Sequence, residues 1–117
     1  MLTKDQILGI KDLQIEKVDV PEWGGYVFVR GMTGAERDSF EASVVDIRGS
    51  SQKINMANVR AKLVSLTACD EEGNRLFEDS DIIELGKKSA LALQKVFDVA
   101  QRLSGLSKEE VSSLEKN

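Results

Sequence analysis

Pro21-Glu-Trp-Gly-Gly25 constrains the fold of this chain more than any other segment. It holds the only proline and the only tryptophan, and the only tyrosine follows at Tyr26. Proline lacks the amide hydrogen that an interior strand must donate, and the glycines are free to take positive φ. The segment therefore reads as a turn. Before it, Leu13 to Val20 alternates apolar and polar residues; after it, Tyr26-Val-Phe-Val-Arg30 is rich in strand formers. The two runs form an antiparallel hairpin. The apolar phase slips between Ile15 and Val18, so either a bulge corrects it or the two halves face different layers.

Helix signals surround this hairpin. Thr3-Lys-Asp-Gln6 has the form of a capping box, in which a threonine and a glutamine three places on satisfy each other's free amides. It opens a short helix to about Ile10, with Ile7, Leu8 and Ile10 expected to pack loosely on the body. Thr33-Gly-Ala-Glu36 is a second box. It opens a helix of about residues 35–47 with Phe40, Val44 and Ile47 as its buried stripe, before a loop at Gly49-Ser-Ser-Gln52. A third helix from residue 54 or 55 to about Cys69 carries a narrow stripe of Met56, Val59, Leu63 and Leu66. A polar turn, Asp70-Glu-Glu-Gly-Asn-Arg75, leads through Leu76 and Phe77 as a small hairpin or an irregular link. Asp81-Ile-Ile-Glu84 reads as a third box, opening a short helix that Gly86 breaks or bends. Residues 87–103 form the strongest helix: Leu85, Ala92, Val96, Val99 and Leu103 project within a narrow arc, and Leu93, Phe97 and Ala100 widen that face to more than a third of the circumference. Gly105 fits the residue just past its end. Ser107-Lys-Glu-Glu110 is a fourth box, opening a last short helix. The fold class expected is α+β, with the N-terminal hairpin packed on about four helices. Residues 1–117 make one domain, with mobile ends at residues 1–11 and 107–117.

Composition narrows the chemistry. The chain has no histidine and one cysteine, Cys69. The commonest general base and the usual zinc ligand set are therefore missing. With no histidine to activate it, Cys69 reads as a buried, inert thiol. Gly86-Lys-Lys-Ser89 resembles the end of a phosphate-binding loop, but Asp81 stands where the first glycine is required. Asp79, Asp81 and Glu84 lack the spacing of a calcium loop. Glu71/Glu72 and Glu109/Glu110 are adjacent pairs that point apart on a helix. No enzyme is expected, and neither a cofactor nor a metal. The net charge of −4 lacks the electrostatic footprint of a nucleic-acid binder, and no apolar run is long enough to span a bilayer. The leading residues lack the pattern of a signal peptide.

What remains is binding by contact. Trp23 at the hairpin tip either folds back over the sheet or anchors a partner. Leu91 falls opposite the core face of the strongest helix, beside Lys88, Lys95 and Arg102. It is either an incidental exposed leucine or the seed of a contact patch. The candidate partner-binding set is Trp23, Tyr26, Leu91, Lys88, Lys95 and Arg102. Charge is blocky: residues 70–84 carry seven acids and one arginine, between basic stretches at 48–62 and 87–102. These blocks complement one another within the monomer or between like subunits.

Three pieces, in this order, resemble one known family. They are Val18-Asp-Val-Pro-Glu-Trp-Gly-Gly-Tyr-Val-Phe-Val-Arg30, Gly34-Ala-Glu-Arg-Asp-Ser-Phe40 and Leu85-Gly-Lys-Lys-Ser-Ala-Leu-Ala-Leu-Gln-Lys-Val-Phe-Asp-Val-Ala-Gln-Arg-Leu-Ser-Gly-Leu106. Together they resemble the tail assembly chaperones of long-tailed bacteriophages and prophages. The resemblance implies a non-catalytic factor in the bacterial host cytoplasm, absent from the mature virion. It implies binding of the tape measure protein, recruitment of the major tail protein, and self-association. It also implies a longer product made by translational frameshifting. Glu115-Lys-Asn117 encoded as GAA AAA AAC contains the slippery heptamer A AAA AAC. The alternative is a structural virion component, either a tail-completion or a head-tail connector protein. A nucleic-acid-binding regulator has only the basic 48–62 stretch in its favour.

Overall fold

A computed structural model of the chain describes residues 1–49 and 56–106. The elements run α1 (Lys4–Gly9), β1 (Ile15–Val20), β2 (Gly25–Arg30), α2 (Gly34–Gly49), α3 (Met56–Thr67), β3 (Ala68–Cys69), α4 (Ile82–Leu85) and α5 (Ala90–Leu103). The fold is α+β: an antiparallel sheet in the order β1-β2-β3, packed on helices.

The hairpin forms where the turn chemistry places it. Pro21–Trp23 make one turn of 3-10 helix, and Gly24 takes φ 77°, a conformation that glycine adopts without a side-chain clash. The strands pair without interruption from Ile15 opposite Arg30 to Val20 opposite Gly25. No bulge corrects the apolar phase; the two halves of β1 face different layers. Val18 and Val20 point inward with Val27 and Val29, and Ile15 lies on the outer face with Lys17, Tyr26 and Phe28. The inner face meets α5, which in turn packs along α3. Gly31 sits where this packing is closest: a Cβ there would lie 2.6 Å from the carbonyl oxygen of Leu103.

The core is aliphatic. It gathers Val18, Val20 and Val29 from the sheet, Phe40 from α2, Val59 to Leu66 from α3, and Ala92, Leu93, Val96, Phe97 and Ala100 from α5. Each fully buried Leu, Val or Phe contributes roughly 1.5–3 kcal/mol relative to exposure. The expected core face of α5 is the one buried, with Val99 and Leu103 at its margins. Two capping boxes form as expected, Thr3 with Gln6 and Thr33 with Glu36.

Elsewhere the structure departs from the sequence reading. α1 forms, but none of its residues is buried, and Ile7, Leu8 and Ile10 point into solvent instead of packing on the body. α3 stops at Thr67, because Ala68 and Cys69 pair with Val29 and Phe28 as a third strand. Its apolar stripe is not narrow: every residue from Leu63 to Thr67 is buried, since α5, α4 and α2 all lie against the helix. The box expected at Asp81 and Glu84 forms three residues earlier, between Glu78 and Asp81. The strongest helix starts at Ala90 rather than at residue 87, with Ser89 accepting a hydrogen bond from the Ala92 amide as its N-cap. α2 runs through Gly49, where a loop was expected. The side chains of Val44, Ile47 and Met56, the link at residues 50–55 and the final helix from Ser107 lie outside the described residues.

Candidate partner-binding surface

The open end of the hairpin is organised by one cation. Arg30 is almost fully buried, and its guanidinium grips both Glu36 carboxylate oxygens, at 2.8 and 2.9 Å. It also donates to the carbonyls of Gly31 and Gly73, at 2.9 and 3.0 Å. One side chain thus ties β2 to the start of α2 and to the turn after β3. The hydrogen bond from Arg30 holds the Glu36 carboxyl below its ordinary value, and Glu36 in return raises Arg30. Glu36 also accepts from the Thr33 amide, so the same carboxylate caps α2. Arg30 ends β2 and Glu36 lies in α2, so no single period relates them and the pair carries no sequence signal.

The turn after β3 is a small closed hairpin, one of the two forms expected. Asp70 accepts hydrogen bonds from the Glu72 and Asn74 amides, Gly73 takes φ 90°, and Arg75 bridges back to Cys69. The backbone bond from Asn74, with smaller help from the other amides, holds Asp70 below its ordinary value. Cys69 is buried at the margin of the core, and desolvation pushes its thiol up, which suits an inert side chain.

The six candidate contact residues fall into two groups. Trp23, Lys88, Leu91 and Lys95 belong to the hairpin tip and to the start of α5. Trp23 is half-buried against the core, and its indole nitrogen is buried without an acceptor among the described residues. It forms a shallow depression of 260 Å³ with Phe77, Leu85 and Lys88. Lys95 reaches across to Glu22 at 2.8 Å, and that hydrogen bond holds the Glu22 carboxyl below its ordinary value. Leu91 lies one helical turn before Lys95 and is 70% exposed. Tyr26 and Arg102 are set apart. Tyr26 is on the outer face of the sheet, 53% exposed, edge-on to Phe28 and beneath the Lys17 ammonium at 4.2 Å. Arg102 pairs with Glu16 of β1.

Much of the charge is therefore spent within the chain. Lys95 and Arg102 fasten α5 to the hairpin. Asp79 pairs with both Lys62 and Arg75, and Glu84 with Lys87. The acidic block thus meets basic residues of its own chain. The sequence reading missed Phe77 and Leu85 as walls of the depression. Phe77 had a signal, as a lone aromatic residue in a polar stretch; Leu85 reads only as a core position.

Among the described residues no group of three or more His, Cys, Asp or Glu side chains is placed to hold a metal ion. No helix there is long and apolar enough to cross a membrane. Surface and fold together describe an α+β protein that presents apolar side chains on a scaffold braced by its own ion pairs. The chain belongs to the phage tail assembly chaperone family, whose model matches residues 10–116. Among solved structures it is similar to the tail assembly chaperone of bacteriophage HK97, with a TM-score of 0.61 and 19% identity. That likeness covers 85% of this chain and 94% of the other. At this identity it defines the shared fold alone. No curated protein matches the chain in sequence. The family's role, tail assembly, is a non-enzymatic one.

Proposed function

We propose that the protein holds the long, helical tape measure protein in solution before tail assembly and helps recruit the major tail protein around it. It acts without catalysis, in the host cytoplasm, and leaves before the virion is complete. The observation that carries this reading is the family match over residues 10–116. The surface gives it a physical means. Trp23 and Leu91, at the hairpin tip and the start of α5, offer apolar contact, with Lys88 and Lys95 as polar neighbours, while Tyr26 and Arg102 lie apart from them. An amphipathic client helix can lay its apolar stripe on such a surface. Each contact is weak, and a long client engages many copies at once, so avidity supplies the strength and favours a chaperone that self-associates.

Co-expression with the tape measure protein tests the reading. A soluble complex is expected with the chaperone, and precipitated tape measure without it. Mass spectrometry of purified particles is expected to find no trace of this chain. Its presence there in stoichiometric amount overturns the reading in favour of a structural virion component.

A further inference from the structure

The depression at the hairpin tip has two properties that select what fills it. Its walls are apolar: Trp23 from the turn, Phe77 from the segment after β3 and Leu85 from α4. Its lip carries one ammonium, that of Lys88, in the turn between α4 and α5. The cations around it are engaged: Lys87 with Glu84, Lys95 with Glu22, Lys62 and Arg75 with Asp79. Among the described residues no carboxylate pairs with Lys88. At 260 Å³ the space is of the order of one large side chain rather than a whole helix face.

We propose that this depression is a single-residue anchor site for a helical protein segment. It takes one leucine- or phenylalanine-sized side chain that has an acidic residue within one helical turn. The anchor fills the space between Trp23 and Phe77, and the neighbouring carboxylate meets Lys88 at the lip. Residues three or four apart share one face of a helix, so a single segment presents both groups together. The apolar contact supplies affinity, and the ammonium supplies the choice between client segments. This proposal rests on the client-binding reading above and assigns it a seat and a preference.

Trp23 is the only tryptophan, so its emission reports directly on this seat. The probes are two synthetic helical peptides without tryptophan or tyrosine. Each carries one leucine anchor, flanked by glutamate in the first and by lysine in the second. Titrating the glutamate peptide is expected to shift Trp23 emission, with tighter binding than the lysine peptide. Lys88→Gln is expected to weaken the glutamate peptide about threefold and Lys88→Glu about tenfold, as for a partly exposed ion pair. Lys88→Glu is also expected to improve the lysine peptide. Lys88 is exposed, and an unchanged circular dichroism spectrum confirms that these variants fold. Equal binding of both peptides, binding without a change in Trp23 emission, no binding, or indifference to Lys88→Glu each overturns the proposal. The client reading is judged separately. A soluble tape measure complex that survives Lys88→Glu undiminished removes the seat and leaves the reading standing. Failure of the unaltered chain to form that complex removes the reading itself.

Discussion

At the scale of single residues, Arg30 and Glu36 bear the heaviest structural duty among the polar groups. The pair is mostly withdrawn from solvent, with side-chain exposures of 8% and 19%. Replacing Glu36 with Gln leaves the Arg30 charge facing a neutral amide. The expected cost is about 1–3 kcal/mol, reduced from a fully buried value by solvent screening. The pH dependence has a definite sign. Glu36 titrates lower when folded than its ordinary 4.5. Its contribution is therefore complete above that ordinary value and is lost as pH falls through the lower folded value. Urea unfolding across falling pH checks this: Glu36→Gln is expected to be less stable than the unaltered chain at about pH 7, and the gap is expected to narrow as the pH is lowered into the acid range. Cys69 gives a second test. Buried, and with its thiol pushed up by desolvation, it is expected to resist a thiol reagent until the fold opens. Labelling in native buffer as fast as in denaturant contradicts that placement.

At the scale of elements, α5 explains why the helices were largely legible and their boundaries less so. Its core face was readable because Ala92, Leu93, Val96, Phe97 and Ala100 repeat at helical spacing. Its start was not, because Lys87 and Lys88 are good helix formers placed in a turn, and Ser89 fixes the beginning only through a side-chain bond to Ala92. Its end was readable: Gly105 takes φ 73° and closes the paired bonds from Gly105 to Arg102 and from Leu106 to Gln101. Strand β3 was illegible for another reason. Ala68 and Cys69 continue the apolar stretch of α3, and only pairing with β2 makes them a strand. Among the contact residues, Trp23 and Lys88 do meet at one depression, whereas Tyr26 occupies the opposite face of the hairpin. Periodicity fixes a residue's face on its own element, and only tertiary packing sets one element's face against another's. The caps of α5 yield a matched pair of predictions. Ser89→Ala is expected to cost about 1 kcal/mol through the lost N-cap bond. Gly105→Ala is expected to cost about 1 kcal/mol through the left-handed backbone it must adopt. Thermal unfolding measures both. Thr3→Ala, by contrast, is expected to leave the midpoint unchanged, because α1 buries none of its residues.

At the scale of the whole molecule, the stabilising apolar groups and the exposed ones are different sets. The core draws on the sheet, α2, α3 and α5, while Leu8, Ile83 and Leu91 stand in solvent at 74%, 69% and 70% exposure. An exposed leucine is unremarkable alone. A chain that also carries Leu2, Ile7 and Ile10 in the open on its first ten residues keeps apolar surface available for contact outside its core. Association can then be altered without altering the fold. Exchanging Leu8, Ile83 and Leu91 together for Gln is expected to change unfolding free energy by no more than about 0.5 kcal/mol per site, as at surface positions that make no special contact. The unaltered chain is expected to form concentration-dependent oligomers in sedimentation velocity, and the same variant is expected to lose them. A drop in stability beyond that range assigns these side chains to packing. Unchanged oligomers in a stable variant place self-association elsewhere, with the outer face around Tyr26 and Phe28 next to be tested by Tyr26→Ser. That substitution removes an exposed ring and the cation–π contact with Lys17 while leaving Val27 and Val29 in the core.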